Sequence, residues 1–190
     1  MKTRSRNRGF TLMELMTAIT IMVILAAIAI PSFRSSIAGN RLSTTANDYI
    51  AALNRARSEA VRRNTTVQFC GSTSHANGSD TLGLLCGASL GHVYVLDSSG
   101  AATKVMDIAA PPAHISVSND GDEVPALRYG GQGLAHTLAS SAPYSGLVAD
   151  VSSDQIQTRN HRCIYLLTGS SVSSCPSSVS CPTSEPSNCQ

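Results

Sequence analysis

Serine, histidine and aspartate, the residue types of a hydrolytic triad, all occur in this chain. We expect no nucleophile elbow, and the histidines show no spacing such as His-x-x-x-His that would place two of them on one metal ion. Isolated histidines are more often structural or solvated than catalytic. The sequence therefore predicts a protein that is not an enzyme, with no catalytic residue, no metal and no cofactor. The histidines are His75, His92, His114, His136 and His161.

A glycine-rich segment, Gly130-Gly131-Gln132-Gly133, has one feature of a phosphate-binding loop. Such a loop needs a helix after it and a Lys-Ser or Lys-Thr pair, and the sequence has neither at this place. Glycine also allows the positive φ angles of tight turns. We therefore predict a tight turn between two strands.

All six cysteines follow the long apolar stretch near the N-terminus. An even number of cysteines in an exported domain predicts disulfides. Zinc is the competing interpretation, but the sequence has no Cys-x-x-Cys pair, and Cys175-x5-Cys181-x7-Cys189 is a loose spacing for a structural zinc site. Pairing of neighbours closes short loops, so we expect the bonds Cys70–Cys86, Cys163–Cys175 and Cys181–Cys189.

The apolar stretch itself runs from Phe10 to Ile30 and contains a single charge, Glu14. As a helix it would be roughly 30 Å long, which matches the hydrocarbon core of a bilayer. A carboxylate at that depth costs about 2.5–3.5 kcal/mol, so such a residue is normally functional and has a partner. We therefore predict a membrane-spanning helix in which Glu14 makes a specific contact.

Four basic residues precede this stretch, with no acidic residue among them. A basic flank stays in the cytoplasm, so we expect residues 1–9 inside the cell and everything after Pro31 to be exported. Without these four, 10 basic side chains stand against 12 acidic ones, and the sequence pI of 8.3 largely reflects the flank. The pI is therefore weak support for nucleic-acid binding. The four residues are Lys2, Arg4, Arg6 and Arg8.

Two simpler interpretations of the apolar stretch stay open. A cleaved secretory signal has a shorter apolar core and a small-x-small cleavage site, which Ala26-Ala27-Ile28-Ala29 resembles. A plain single-pass anchor is the other. Neither interpretation gives Glu14 a role.

The segment Gly9-Phe10-Thr11-Leu12-Met13-Glu14 resembles the processing site of a type IV prepilin. The resemblance implies that a membrane aspartic peptidase, the prepilin peptidase, cuts between Gly9 and Phe10 and methylates the new amine of Phe10. It also implies that the apolar helix is retained, and that Glu14 pairs with the N-terminal amine of a neighbouring subunit during assembly. A cation in the same layer would offset much of the cost of burying the carboxylate.

Helical periodicity continues after Pro31, which we expect to kink the helix without ending it. Up to Arg63, apolar residues recur mostly three or four positions apart, which predicts an amphipathic helix packed on a globular domain. The expected apolar face is Leu42, Ala46, Tyr49, Ile50, Leu53, Ala56, Ala60 and Val61, and the expected opposite face is Arg41, Asp48, Arg55, Arg57, Glu59 and Arg62.

Beyond this helix, short alternating segments at roughly ten-residue spacing, with turn residues between them, predict antiparallel strands. Residues 170–190 are rich in Ser, Pro and Cys and have few bulky apolar side chains, so we expect a tail that builds no core. The predicted fold class is α+β, the lollipop of pilins. Its parts are a leader (1–9), a transmembrane helix (10–30), an amphipathic continuation (31–63), a small antiparallel β-sheet domain (64–169) and the tail (170–190).

The long helix also resembles the GspH/FimT family of minor pilins and pseudopilins, through Ile30-Pro31-Ser32-Phe33, Asn40-Arg41-Leu42 and Leu53-Asn54-Arg55-Ala56-Arg57-Ser58-Glu59-Ala60. The resemblance implies a minor type IV pilin in a priming or tip complex for pilus biogenesis, with adhesion and twitching motility as the outcome. The implied partners are other minor and major pilins, the prepilin peptidase and the inner-membrane assembly platform. The protein would lie in the bacterial inner membrane with a periplasmic C-terminal domain, and then in the pilus on the cell surface. A minor pseudopilin of type II secretion is the alternative.

A third alternative is a DNA-binding pilus receptor for natural transformation. Some FimT-type pilins resemble such receptors and carry a Gly-Arg-x-Arg motif, but the corresponding place here, Gly169-Ser170-Ser171-Val172-Ser173, has no arginine. Arg159 and Arg162 are the candidate DNA contacts instead, since phosphate contacts need only a cation within reach. The simpler interpretation is that they are solvated loop charges. A second basic group, Arg55, Arg57, Arg62 and Arg63, lies at the end of the long helix.

Overall fold

A computed structural model of the chain describes residues 10–187 and 189. These residues divide into two compact units, one ending at Ile37 and the other beginning at Ala38. One helix, α1 (Leu12–Arg63), runs through the boundary. Gly9 and the basic residues before it, to which we assigned cleavage and topology, lie outside the described residues. The architecture is α+β, as predicted: a long apolar N-terminal helix followed by antiparallel sheets.

Local interactions and backbone conformation explain where helix α1 begins and ends. The hydroxyl oxygen of Thr11 accepts the backbone N–H of Glu14 at 3.2 Å, an N-cap contact. The helix continues through Pro31, as expected, and ends at Arg63. Asn64 then adopts a φ of 48°, a left-handed conformation that asparagine tolerates better than most residues. The change of backbone direction leads into the first strand.

The strands form two antiparallel sheets. The first has the order β3-β2-β1-β5-β6 and the second the order β4-β7-β8-β9. The strands of the first sheet are β1 (Val67–Phe69), β2 (Val93–Leu96), β3 (Ala102–Met106), β5 (Leu127–Tyr129) and β6 (Ala135–His136). Those of the second are β4 (Ile115–Ser118), β7 (Gly146–Ser153), β8 (His161–Leu167) and β9 (Ser171–Ser177).

The main hydrophobic core lies between the second half of α1 and both sheets. Tyr49 and Leu53 of the helix pack in one cluster with Phe69 of the first sheet and Ile164 of the second, and all four are fully buried. Burying a leucine or phenylalanine side chain stabilises a fold by about 1.5–3 kcal/mol. This core fixes the amphipathic half of α1 on the sheets.

Two residues of α1 lie on the opposite face from the one expected. Val61, which we placed in the apolar stripe, is 51% exposed, whereas Glu59, which we placed in solvent, is only 2% exposed. Ala60 occupies the core position, and each helical residue is turned by about 100° from the one before it, so Val61 points away. Ala52, which we did not include, is buried.

Two short helices lie in the region beyond α1, for which only strands and turns were expected. The turn-rich segment after Gly71 contains α2 (Ser74–Asn77), and the short apolar run before Gly87 lies in α3 (Thr81–Cys86). The Thr73 hydroxyl caps α2, and the Asp80 carboxylate caps α3. An apolar run this short cannot be assigned to helix or strand by periodicity alone.

The C-terminal tail contributes to the fold, contrary to expectation. Residues Ser171–Ser177 form β9, which pairs with β8 along its whole length. The segment after β9 lies over the second sheet, where the Thr183 carbonyl accepts the Leu147 N–H at 2.9 Å and the Pro182 carbonyl accepts the Tyr165 hydroxyl at 2.9 Å. Together they enclose a second, smaller core of Leu147, Cys163, Tyr165, Cys175 and Cys181.

The disulfides of this second core correct the predicted pairing. The bond Cys70–Cys86 is as expected, but the other four cysteines form Cys163–Cys181 and Cys175–Cys189. Cys163 and Cys175 are cross-strand partners whose side chains lie in the second core, and each is bonded there to a cysteine of the returning tail. Loop length discriminates poorly between such schemes, because doubling a loop changes its closure cost by only about 0.6 kcal/mol.

Candidate functional site

The apolar half of α1 exposes its hydrophobic side chains on every side. Phe10 is 84% exposed, and Met13, Met22 and Ile28 are exposed to a similar degree. The helix is long and apolar enough to cross a membrane, and none of its most apolar window is buried within the protein. Isolated in water, such a surface would be unfavourable, so this segment requires lipid or other apolar helices around it.

The polar side chains of this half are satisfied locally, with one exception. The hydroxyl of Thr17 donates to the carbonyl of Glu14 at 3.0 Å, and that of Thr20 donates to the carbonyl of Met16 at 2.8 Å. These bonds within the helix remove the cost of placing hydroxyls in hydrocarbon. The carboxylate of Glu14 is exposed and is the only charge between Phe10 and Ile30.

A second charged site lies at the other end of α1. The buried carboxylate of Glu59 forms ion pairs with Arg55 at 2.8 Å, Arg62 at 2.5 Å and Arg63 at 2.7 Å. We call these three residues and Arg57 the arginine cluster. The hydrogen bond from Arg62 holds the pKa of the Glu59 carboxyl below its ordinary value of 4.5, so the group is ionised at neutral pH. One carboxylate therefore orients three guanidinium groups and leaves the cluster with excess positive charge.

The two arginines proposed as DNA contacts have different surroundings. Arg159 is exposed in the turn between β7 and β8, at a φ of 54°. Arg162 is half-buried: one of its terminal nitrogens lies 3.5 Å from the Ser43 hydroxyl of α1, and the other is buried. Desolvation by burial lowers the pKa of its guanidinium. Arg162 thus packs against the helix, and only Arg159 of the pair faces solvent.

The five histidines each contact an acidic or carbonyl group. His75, His92, His114 and His161 lie beside Glu123, Asp107, Asp154 and Asp150, and His136 lies beside the carbonyl of Thr137. Among residues 10–187 and 189, no histidine is hydrogen-bonded to a serine hydroxyl. The arrangement required for a serine nucleophile is therefore not assembled in this part of the chain.

One motif that we did not predict has the spacing of a serine nucleophile. Gly87-Ala88-Ser89-Leu90-Gly91 matches the Gly-x-Ser-x-Gly pattern of a nucleophile elbow. An elbow requires the serine on a sharp turn from a strand into a helix. This segment instead leads from helix α3 into strand β2, so the motif lacks its structural context.

Two clusters have the residue types of a metal site, Asp150 with His161 and Cys181, and Glu185 with Cys175 and Cys189. In both, the cysteine sulfurs are bonded in disulfides and do not offer thiolates. The buried Asp150 carboxylate already accepts from the backbone N–H of Cys181 at 3.2 Å and lies 2.8 Å from the His161 ring. These groups attach the tail to the second sheet.

The glycine-rich segment forms the tight turn that we predicted. The Gly133 N–H donates to the Gly130 carbonyl at 2.8 Å, and the turn joins the paired strands β5 and β6. Gly133 has a φ of +75°, which glycine adopts at little cost.

Together, an exposed apolar helix with one carboxylate near its start and a sheet domain on its second half define a pilin or pseudopilin. Family comparisons agree: the model described as "Prokaryotic N-terminal methylation motif" matches residues 4–30, and the model described as "Type II transport protein GspH" matches residues 45–169. The chain belongs to the GspH family and carries a prepilin-type N-terminus. Comparisons with curated proteins and with solved structures gave no match.

Proposed function

We propose that this chain is a minor type IV pilin that is cut between Gly9 and Phe10, methylated at Phe10 and incorporated into a pilus. It acts in a priming or tip complex for pilus biogenesis and so contributes to adhesion and twitching motility. The observation that carries this proposal is the exposed apolar helix with Glu14 at its start, within a matched N-terminal methylation motif.

The proposed mechanism is assembly through helix packing. Apolar helices of neighbouring subunits lie side by side in place of lipid, and Glu14 pairs with the N-terminal amine of a neighbour. An ion pair in this low-dielectric layer offsets the cost of the carboxylate and fixes the axial position of one subunit against the next. The role of the chain is structural and not catalytic.

The proposed partners are other minor and major pilins, the prepilin peptidase and the inner-membrane assembly platform. Before assembly the chain lies in the bacterial inner membrane, with residues 1–9 in the cytoplasm and the domain after Pro31 in the periplasm. After assembly it lies on the cell surface in the pilus. The exported domain includes the tail up to Cys189, since β9 and two disulfides join the tail to the second sheet.

A minor pseudopilin of type II secretion is the second candidate, and the matched family, a type II transport protein, favours it. The two candidates differ in what is lost when the gene is deleted. A pilin predicts loss of surface filaments and twitching with secretion intact, and a pseudopilin predicts the reverse. DNA uptake is less well supported, because Arg162 packs against α1.

The assembly mechanism is tested by a Glu14→Ala variant in the deletion strain. We expect processing to continue, because Glu14 is not at the cleaved bond, and we expect the variant to be missing from sheared filaments. Thr17→Ala is the matched control, since its hydroxyl bonds only within the helix. A Glu14→Ala chain that entered filaments as well as the parent would show that the proposed pairing is wrong.

A further inference from the structure

An open groove of about 410 Å³ runs along the exposed side of the last turns of α1. It is lined by Asn54, Arg57, Ser58, Val61 and Arg62, which recur three or four positions apart and therefore lie on one face of the helix. Val61 supplies an apolar surface, and the polar residues supply hydrogen-bond donors on both sides of it. We call this feature the helix groove.

The turn from Gly130 to Gly133 approaches the helix beside this groove. A Cβ atom added to Gly133 would lie 2.8 Å from a methyl carbon of Val61 and 3.3 Å from Nε of Arg57. The turn is closed by its own backbone hydrogen bond. Val61 and Arg57 are thus packed against a fixed backbone, and a ligand meets a preformed surface.

The charged side chains in and beside the groove are mostly positive. Arg62 is held by Glu59, and the same carboxylate engages Arg55 and Arg63 next to the groove. Arg57 lies in the groove lining itself, so the last turns of α1 carry four guanidinium groups and one carboxylate. Because Glu59 is buried, the outer surface of this region presents cations.

This combination fits an acidic protein segment better than nucleic acid. Carboxylates form paired hydrogen bonds with guanidinium groups, and an aliphatic neighbour of the carboxylate can cover Val61. No aromatic side chain lines the groove, whereas single-stranded nucleic acid is bound by stacking on aromatic rings. Exposed acidic turns occur in this fold: Asp120, Asp122 and Glu123 are all exposed in the hairpin after β4.

We propose that the helix groove docks an exposed acidic segment of a neighbouring pilin subunit. This inference rests on the proposed function, since it assigns a contact within the assembly. It adds a second interface outside the apolar helix, one that selects the neighbour by charge and not by hydrophobic packing.

The test uses the full-length chain in its own cells, with a photo-crosslinking amino acid at Ser58 in the groove or, as the control site, at Asn47 on the same helix. After irradiation, mass spectrometry identifies the crosslinked peptide. We expect Ser58 to capture a pilin peptide that contains Asp or Glu, and Asn47 not to capture it. Arg57→Glu should reduce this crosslink at least about tenfold, because like charges then face each other, whereas Arg41→Glu should leave it unchanged.

A Lys substitution of the identified acidic residue should restore the crosslink in the Arg57→Glu chain. The inference is overturned if Ser58 captures nucleic acid, captures no pilin, or captures a pilin equally well after Arg57→Glu. Arg57→Gln, which removes the charge without reversing it, is a second variant for the case that Arg57→Glu misfolds. The disulfide pattern of each variant shows whether the domain has folded. If the parent chain enters filaments but this crosslink fails, only the groove is refuted. If the parent chain never enters filaments, the proposed function fails as well.

Discussion

The disulfide Cys163–Cys181 should be the main attachment of the C-terminal tail, and removing it gives the sharpest test of the fold. Its two cysteines are fully buried beside Tyr165, and the bond closes a loop with a sequence separation of 18. Chain entropy predicts that such a bond contributes about 3 kcal/mol. The free energy of unfolding of the variant Cys163→Ala/Cys181→Ala should therefore be about 3 kcal/mol lower than that of the parent. For a domain of this size, this corresponds to a melting temperature about 6–12 °C lower.

The single variant Cys163→Ala distinguishes the two pairing schemes, because it leaves one cysteine without a partner. In the structure that cysteine is Cys181, so alkylation of the unfolded, unreduced variant followed by peptide mapping should find the label on Cys181. Pairing of neighbours would instead place the label on Cys175. Purified full-length chain in detergent is suitable for both the alkylation assay and the thermal melt. A label on Cys175, or a melting temperature of the double variant within a degree of the parent's, would refute this account of the tail.

Two further predictions concern α1, each measured by thermal unfolding in detergent. Leu53→Ala should cost about 2–5 kcal/mol because it opens a cavity in the main core. The control Val61→Ala, at a half-exposed side chain beside the turn at Gly133, should cost less than about 1 kcal/mol; equal losses would contradict the observed face of the helix. Glu59→Gln should cost about 1–2 kcal/mol at pH 7, since three partly exposed pairs are weakened. Because the pKa of Glu59 is lowered, its contribution is present above its ordinary value of 4.5 and is lost as pH falls through the lowered pKa, so parent and variant should converge in acid. A difference that does not depend on pH would show that the ion pairs are not its cause.

The parts of the fold with a long and regular pattern of apolar residues were predicted correctly from the sequence. Apolar residues fill the stretch up to Ile30 and recur at helical spacing from Leu42 to Ala60. Both patterns extend over many turns, so the helix and its core face could be predicted. The errors lie at the ends of these patterns. Val61 and Glu59 were misplaced because the last turn offers too few residues to fix the face, and because the burial of Glu59 depends on three arginines of the same helix.

The tail was misjudged because its composition was considered alone. Strand β8 contains an uninterrupted apolar run from Cys163 to Leu167, which is typical of a strand covered on both faces. Ile164 and Leu166 face the main core, and Cys163 and Tyr165 face the second core. That run was the signal that another segment had to cover the outer face. The pairing of the cysteines depends on how the segment after β9 returns over the second sheet, which no loop-length argument contains.

The helix groove could not be predicted from the sequence for a similar reason. Arg57 and Val61 are neighbours on the helix, but the turn at Gly133 that packs against them comes more than seventy residues later. Only the tertiary fold brings the turn to the helix. The charge excess of the arginine cluster, in contrast, was visible in the sequence.

The central claim is that the chain is processed as a prepilin and then assembled. Mass spectrometry of the chain recovered from sheared surface filaments and from membranes tests it most directly. The account predicts a mature chain that begins with N-methylated Phe10 in both fractions. A chain that still begins at Met1, or one that begins after Ala29 as a secretory-signal cleavage would leave it, would contradict the claim.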